Sequence, residues 1–482
     1  MSSAQPSFFQ QLLRKKPIVN DGNSYGLKRC LSAFDLAMLG VGAIIGTGIF
    51  VLTGVAAATT SGPAVVLSFM VAGAACAFAA LAYAELAASV GGSGSAYGYS
   101  YAAFGEFLAW IIGWDLILEY GVAVAAVANG WAGYFNNALA AIGLGLPEQL
   151  TKGPLAVHPV TGEADGGLVN LPAVIVVLAL MVLLISGVRQ SAALNRAMVF
   201  IKILTIAVFL AVAIFHVNPD NWSPFMPYGW LSFDQVGKPL GVLAGASIVF
   251  FAYIGFDAVS TAVDEARNPQ RDVPIGLISS LVFCTLIYIA VSGLLTGIVY
   301  YTELNVSSPV AFGLERIGVN WASALVATGV ITGLTTVMLV LYYALTRVLV
   351  AMSRDGLLPG FFSDVNDKTH TPIKNTVICG LVMAAMAGFV PLGALAELVN
   401  IGTLAAFVMV CIGVIILRKT KPDLPRPFKA PGGIMLPVMG VISCGALIAF
   451  LPPHTHERFI YWLLVGVVIY ACYGWRHSRL RK

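Results

Sequence analysis

Apolar residues run along this chain in long blocks, and polar residues collect in short gaps between them. Blocks long enough to cross a bilayer as a helix, which takes about 20 residues, fall at 34–58, 63–88, 104–138, 169–187, 193–216, 238–262, 273–300, 320–350, 374–390, 395–417, 434–452 and 457–475. They are numbered segments 1–12. Their length and glycine content predict helices, since barrel strands would alternate apolar and polar residues over about ten positions. The longest gap, 139–168, holds glycine and proline and is expected to be irregular. No Pro- or Ser-rich linker divides the chain. The pattern predicts one transmembrane domain over 31–476, with short tails over 1–30 and 477–482.

Two segments carry punctuation at their centres. Segment 1 contains Gly42-Ala43-Ile44-Ile45-Gly46-Thr47-Gly48-Ile49-Phe50. Each glycine costs a helix interior about 1 kcal/mol against alanine. Taken alone, this stretch has two readings. Gly42 and Gly46 form a G-x-x-x-G pair suited to close helix packing. Alternatively the helix breaks, and its freed amides and dipole hold an anionic group. Segment 6 reads Ser247-Ile248-Val249-Phe250-Phe251-Ala252-Tyr253-Ile254-Gly255-Phe256-Asp257, with a glycine and an acid at membrane depth. The blocks 34–216 and 238–417 are similar in length, and each opens with an interrupted segment. Five segments is an odd number, so the second block enters the membrane inverted. The prediction is an all-α membrane protein with two inverted five-helix repeats, broken helices 1 and 6, and two further helices over 434–475. Paired discontinuous helices in inverted halves point to a central ligand site, which favours the break over simple packing.

Composition sharpens this. The 482 residues are 58% hydrophobic and 10% charged, against about 25% charged in soluble domains. Mean hydropathy is +0.86. The seven cysteines are scattered and suggest neither a disulfide framework nor a metal site. The six histidines lack ligand spacing, and no nucleotide-binding motif occurs. No cofactor, nucleic-acid partner or catalytic constellation is therefore expected, so the chain reads as a non-enzyme. No filter motif repeats as a channel would require, and no cleavable leader is expected. With the N-terminus inside, Lys152, Lys238, Arg316 and Arg458 lie outside, Lys202 lies within segment 5, and the other 22 of the 27 Lys and Arg lie inside. That bias predicts cytoplasmic termini; the short tails fit a bacterial inner membrane.

The motifs in segments 1 and 6 resemble those of the amino acid–polyamine–organocation superfamily. Leu27-Lys-Arg, Ser93-Gly-Ser-Ala-Tyr, Gly113-Trp-Asp-Leu-Ile-Leu-Glu-Tyr, Glu265-Ala-Arg-Asn-Pro-Gln, Ser353-Arg-Asp-Gly-Leu-Leu-Pro and Asn400-Ile-Gly-Thr-Leu-Ala-Ala-Phe narrow the likeness. Together they are similar to bacterial members of the cationic amino acid transporter family, from about residue 27 to the end of segment 12. The resemblance implies a LeuT-like fold and secondary transport of L-amino acids by alternating access. Proton symport is the leading mode and amino acid exchange the alternative. A small accessory membrane protein is left open.

Dipole direction assigns the site, and the resemblance implies the same assignment. Amides around Ile45, Gly46, Thr47 and Gly48 suit a substrate carboxylate. Carbonyls around Phe250, Phe251, Ala252 and Ile254 suit its ammonium. Phe251 is similar in position to the family's aromatic gate; otherwise it is a packing Phe. Lys202 at membrane depth costs about 2.5–3.5 kcal/mol on insertion scales. The resemblance puts it where sodium-coupled relatives hold sodium and implies a proton switch; the alternative is a snorkelling or structurally paired lysine. Asp115 and Glu119, four residues apart, share a helical face. They are candidates for pairing with Lys202 or carrying a proton, Glu119 the more so because it is deeper. Asp257 suits either proton handling or binding the amides freed at its break. Met338, near Thr335 and Thr336 on segment 8 and Val122 on segment 3, is expected to narrow the pocket toward small or medium neutral side chains.

Overall fold

The computed structural model describes residues 14–16, 30–90, 96–156, 166–187, 192–235, 237–366, 369 and 371–481. Most of the expected tail over 1–30, including Leu27-Lys28-Arg29, lies outside them, as does Ser93-Gly94-Ser95.

Helix forms in all twelve apolar segments. Segment 1 begins as Ala33–Ile44, started by a capping box in which Ser32 and Asp35 each accept the other's backbone amide. The helix stops at Ile45, whose ψ of 98° is extended. It resumes as wide π turns over Gly48–Leu52 and Ala57–Ser61 around Thr53–Ala56. Segment 2 is Val65–Val90. Segment 3 is helical over Glu106–Ile117 and Ala123–Ala141, joined by a π turn at Leu118–Val122. Segments 4 and 5 are Leu171–Ile185 and Ala192–Ala213. A short antiparallel ribbon, Ser232–Phe233 with Pro239–Leu240, leads into segment 6.

Segment 6 is Val242–Val249, a 3₁₀ turn over Phe250–Tyr253, and then Ala258–Thr261. Ile254 is extended at ψ 136° and Gly255 turns the chain at φ +108°, a region that an L side chain enters only with strain. Segments 7 and 8 are Pro269–Ile298 and Asn320–Arg354, separated by a cap that carries the helix Pro309–Arg316. Segments 9 to 12 are Ile373–Phe389, Leu392–Thr420, Met435–Ala449 and Pro453–Ile469.

Among the described residues, eight helical runs are long and apolar enough to cross a membrane. Ala33–Ile44 and segments 4, 9 and 11 are shorter apolar helices. A 15-residue helix rises about 22 Å, less than the roughly 30 Å hydrocarbon core. Segment 7 packs on segments 1 and 2, segment 6 on segment 2, segment 8 on segments 3 and 5, segment 9 on segment 4, and segment 10 on segments 3 and 11.

Ion pairs fasten helix ends. Glu85 of segment 2 is 1% exposed and takes Arg418 of segment 10 at 2.8 and 2.5 Å, with the Ala430 amide at 2.8 Å. Asp35 takes Arg196 at 2.7 Å, and the His454 ring makes a hydrogen bond with Glu397 at 2.9 Å. Glu85→Gln leaves a largely buried guanidinium without its counter-charge, a change that costs about 3–5 kcal/mol. The purified variant is expected to unfold several degrees below the parent in detergent. An unchanged midpoint would show that this pair does not hold segments 2 and 10 together.

Candidate functional site

A broken helix leaves four amides at the start of one half and four carbonyls at the end of the other without helical partners. Away from water each such group costs about 1–3 kcal/mol if left unpaired. At the break in segment 1, distant side chains supply the carbonyls' partners. Lys202 of segment 5 donates from Nζ to the carbonyls of Gly42 at 2.6 Å and Ile45 at 3.2 Å. Tyr288 of segment 7 contacts the carbonyl of Ile44 at 2.9 Å and that of Ala252, at the break in segment 6, at 2.8 Å. One hydroxyl thus stands between the two breaks. Asn400 of segment 10 donates to the carbonyls of Ser247 at 2.8 Å and Ile248 at 3.2 Å, where the first half of segment 6 ends.

Lys202 is 1% exposed and does not snorkel; its hydrogen bonds among the described residues run to carbonyl oxygens. A cationic donor at the C-terminal end of a half-helix also answers its dipole. The stem of Lys202 lies along Gly333 of segment 8, where an added Cβ would meet its Cγ at 3.0 Å and its Cε at 3.1 Å.

The breaks touch each other. A Cβ on Gly48 would stand 2.2 Å from Cα of Ala252, so only glycine permits this approach. Ile45, Gly46, Thr47 and Gly48 are buried together at this contact with Phe250, Phe251, Ala252 and Ile254. Gly46 faces Val337 of segment 8, and Thr47 packs on Gly130 of segment 3. The hydroxyl of Thr47 is buried and has no hydrogen-bond partner among the described residues. Met338 is fully buried, whereas Thr335 accepts a hydrogen bond from Trp131 at 3.1 Å.

The predicted acids gather at the other side of segment 6. Tyr120 donates to Oδ2 of Asp257 at 2.6 Å. The carboxyl of Glu119 lies within hydrogen-bonding reach of that of Asp257, with Asp115 nearby on the same face of segment 3. Both Glu119 oxygens, Oδ1 of Asp257 and Oδ1 of Asp115 have no conventional donor among the described residues. Two buried carboxyls this close, with no counter-cation among the described residues, repel each other while both are charged. Asp257 also lies against the amides of residues 257 and 258, at the start of the second half of segment 6. Asp115 faces Gly402 of segment 10, where a Cβ would meet its Oδ1 at 2.7 Å. Glu119 itself sits in the π turn Leu118–Val122; such turns recur at functional sites.

Sequence reasoning gave no site role to Tyr288, Tyr120, Asn400 or Gly333, although Tyr120 and Asn400 stand in motifs that narrow the likeness. The usable signal was a buried tyrosine or asparagine inside an apolar segment, since such groups seek a partner. Tyr288→Phe keeps the ring, which packs on Phe69 at 5.3 Å, and removes the donor shared by two carbonyls. A loss of about 1–3 kcal/mol is expected, read as a lower thermal midpoint of the purified protein. A midpoint equal to the parent's would mean that the hydroxyl does not fasten the breaks.

Residues 31–470 match the family model described as amino acid permease. The chain is 47% identical over 477 residues to the methylthioribose transporter of Bacillus subtilis, covering 98% of this chain and 99% of that protein. It is 49% identical over 457 residues to the branched-chain amino acid permease BcaP of the same organism, with 95% of each chain covered. Over 411 residues it is 36% identical to the vacuolar cationic amino acid transporter 4 of Arabidopsis thaliana, covering 84% of this chain and 66% of that one. The chain therefore belongs to the amino acid permease family, within the amino acid–polyamine–organocation superfamily that its motifs resemble.

Proposed function

We propose that this chain is a proton-coupled symporter of neutral L-amino acids in the bacterial plasma membrane, working by alternating access with both termini cytoplasmic. The observation that carries this reading is the meeting of two broken helices at Gly48 and Ala252, with Lys202 on the carbonyls of the first break. The amides of Gly46, Thr47 and Gly48 receive the substrate carboxylate, that of Ile45 being given to the Val41 carbonyl at 3.0 Å, and carbonyls at 250–254 receive its ammonium. Ile45 belongs to both arrangements, since its carbonyl accepts from Lys202 and its neighbours' amides face the substrate. Loss of the Lys202 proton removes a positive charge from the half-helix end, which loosens the break and weakens its hold on the carboxylate. Glu119 and Asp257, with Asp115 beside them, form the second proton-carrying group of the cycle.

The helix pairings support a 5+5 inverted repeat. Exchanging segments 1–5 with 6–10 maps the contact of 1 with 7 onto 6 with 2, and that of 5 with 8 onto 10 with 3. The contacts of 2 with 7, 3 with 8 and 4 with 9 map onto themselves. Segments 11 and 12 complete a twelve-helix, LeuT-like protein. Neutral side chains are preferred because the buried Met338 fills the segment 8 wall with an apolar group.

The likeness to a methylthioribose transporter gives a second reading, in which the cargo is a neutral thioether sugar without the two charged groups of an amino acid. Uptake of labelled leucine, arginine and methylthioribose into sodium-free liposomes, with and without an inward proton gradient, separates the two. Gradient-driven leucine accumulation is expected. Methylthioribose uptake alone would replace the amino acid reading, and preference for arginine would remove the neutral pocket. Lys202→Met is expected to keep leucine counterflow while accumulation drops to the level without a gradient. A variant still driven by the gradient would strip Lys202 of its coupling role, and leucine uptake only against preloaded amino acid would make the protein an exchanger.

A further inference from the structure

Three aromatic rings fix the position of Tyr83 in segment 2. Its ring stands edge-on to Phe256 at 5.8 Å, to Phe407 at 5.5 Å and to Tyr99 at 6.2 Å. Phenylalanine would make the same contacts, so packing does not account for the hydroxyl. That hydroxyl is buried and has no hydrogen-bond partner among the described residues. A buried polar group in that state costs about 1–3 kcal/mol, and native folds leave few of them without a purpose.

The neighbours of Tyr83 differ on its two sides. On one are the carboxyls of Asp257 and Glu119, Asp257 following directly on the Phe256 that packs against the ring. Both Glu119 oxygens and Oδ1 of Asp257 likewise have no hydrogen-bond donor among the described residues. On the other side is Tyr99, from the helix Ala96–Ala103 that stands between segments 2 and 3. Cys411 of segment 10 also lies near, and Glu85, on the next turn of segment 2, is bound to Arg418. The helix Ala96–Ala103 leads to the surface. Its Tyr97 donates to Asp355 at 2.7 Å, and Asp355 takes the exposed Lys16 at 2.8 Å. Depth agrees with this order. At 1.5 Å per residue, Glu119 lies about 20 Å from the start of segment 3, and Tyr83 about 10 Å from the end of segment 2 on the same side.

We propose that Tyr83 is the relay through which the pair Glu119 and Asp257 gives up its proton toward the helix Ala96–Ala103, the cytoplasmic side in the proposed orientation. The inference rests on the proposed role of these acids as a proton-carrying group. In the step, a carboxyl O–H bond breaks and its proton bonds to a lone pair of the Tyr83 oxygen. The proton that Tyr83 held passes on to water or to the Tyr99 hydroxyl. Tyr83 ends neutral, the pair gains one negative charge, and one proton has moved toward the surface. A hydroxyl suits this because it accepts and donates at one atom.

Tyr83→Phe in sodium-free liposomes that enclose the pH-reporting dye pyranine tests the relay. With equal starting pH and an inward leucine gradient, leucine entry acidifies the lumen of the parent. The variant is expected to acidify it about tenfold more slowly, as a positioned proton-transfer group is lost. Leucine counterflow at equal pH moves no net proton and is expected to keep its rate. The thermal midpoint is expected to stay, since the ring contacts remain. Unchanged acidification in the variant would overturn the relay, and so would equal slowing of acidification and counterflow, which marks a structural role. A parent that takes up leucine without acidifying the lumen would overturn the symport reading, and the relay with it; a coupled parent beside an equally coupled variant overturns the relay alone.

Discussion

Backbone polar groups buried where water is scarce must find partners, and a helix broken in mid-segment exposes several at once. The architecture around Gly46 follows from that constraint. The carbonyls that end the first half of segment 1 are met by Lys202 and Tyr288, and those that end the first half of segment 6 by Asn400. These partners come from segments 5, 7 and 10. The breaks are thus stable only inside the assembled bundle, and the bundle is ordered around them.

Small residues make the assembly possible. Gly48 lets segment 1 touch Ala252, Gly130 receives Thr47, Gly329 receives Thr205, and Gly333 makes room for the stem of Lys202. In lipid, helices gain little from hydrophobic burial against one another, so close packing and hydrogen bonds carry their association. The 50 glycines of this chain therefore do two jobs. Some open the helix, as at 46 and 48, and others let neighbours approach what has been opened.

The break in segment 1 was legible because three glycines in seven residues outweigh any helical preference, and segment 6 because Gly255 precedes an acid. The helix boundaries were less so. The apolar run of segment 6 spans 238–262 and its break is expected at Gly255, yet the α-helix of its first half already ends at Val249. Hydropathy does not register an extended residue such as Ile254. The acids of segment 3 were recognisable by their cost, but their neighbour was not: Asp257 lies 138 positions beyond Glu119, and the partner first expected, Lys202, is engaged by carbonyls. Tyr288 was invisible for a similar reason. A tyrosine in an apolar run is an ordinary core residue until the fold aims its hydroxyl.

The two breaks carry opposite chemistry. Segment 1 is answered by a lysine, and segment 6 is flanked by Asp257 and Glu119. They meet where neither charge does, at Gly48 and Ala252, and are joined by a hydroxyl that has a single proton for two carbonyls. At any instant Tyr288 satisfies one of the two fully, so Ile44 and Ala252 compete for it. On the proposed reading, a substrate ammonium arriving at the segment 6 carbonyls relieves Ala252 and releases Tyr288 to Ile44. That adds a donor to the same half-helix end that Lys202 holds. Filling the site at one break and discharging the lysine at the other then act on adjacent carbonyls of one half-helix end, Ile44 for the tyrosine and Gly42 and Ile45 for the lysine, so that binding and protonation bear on the same element.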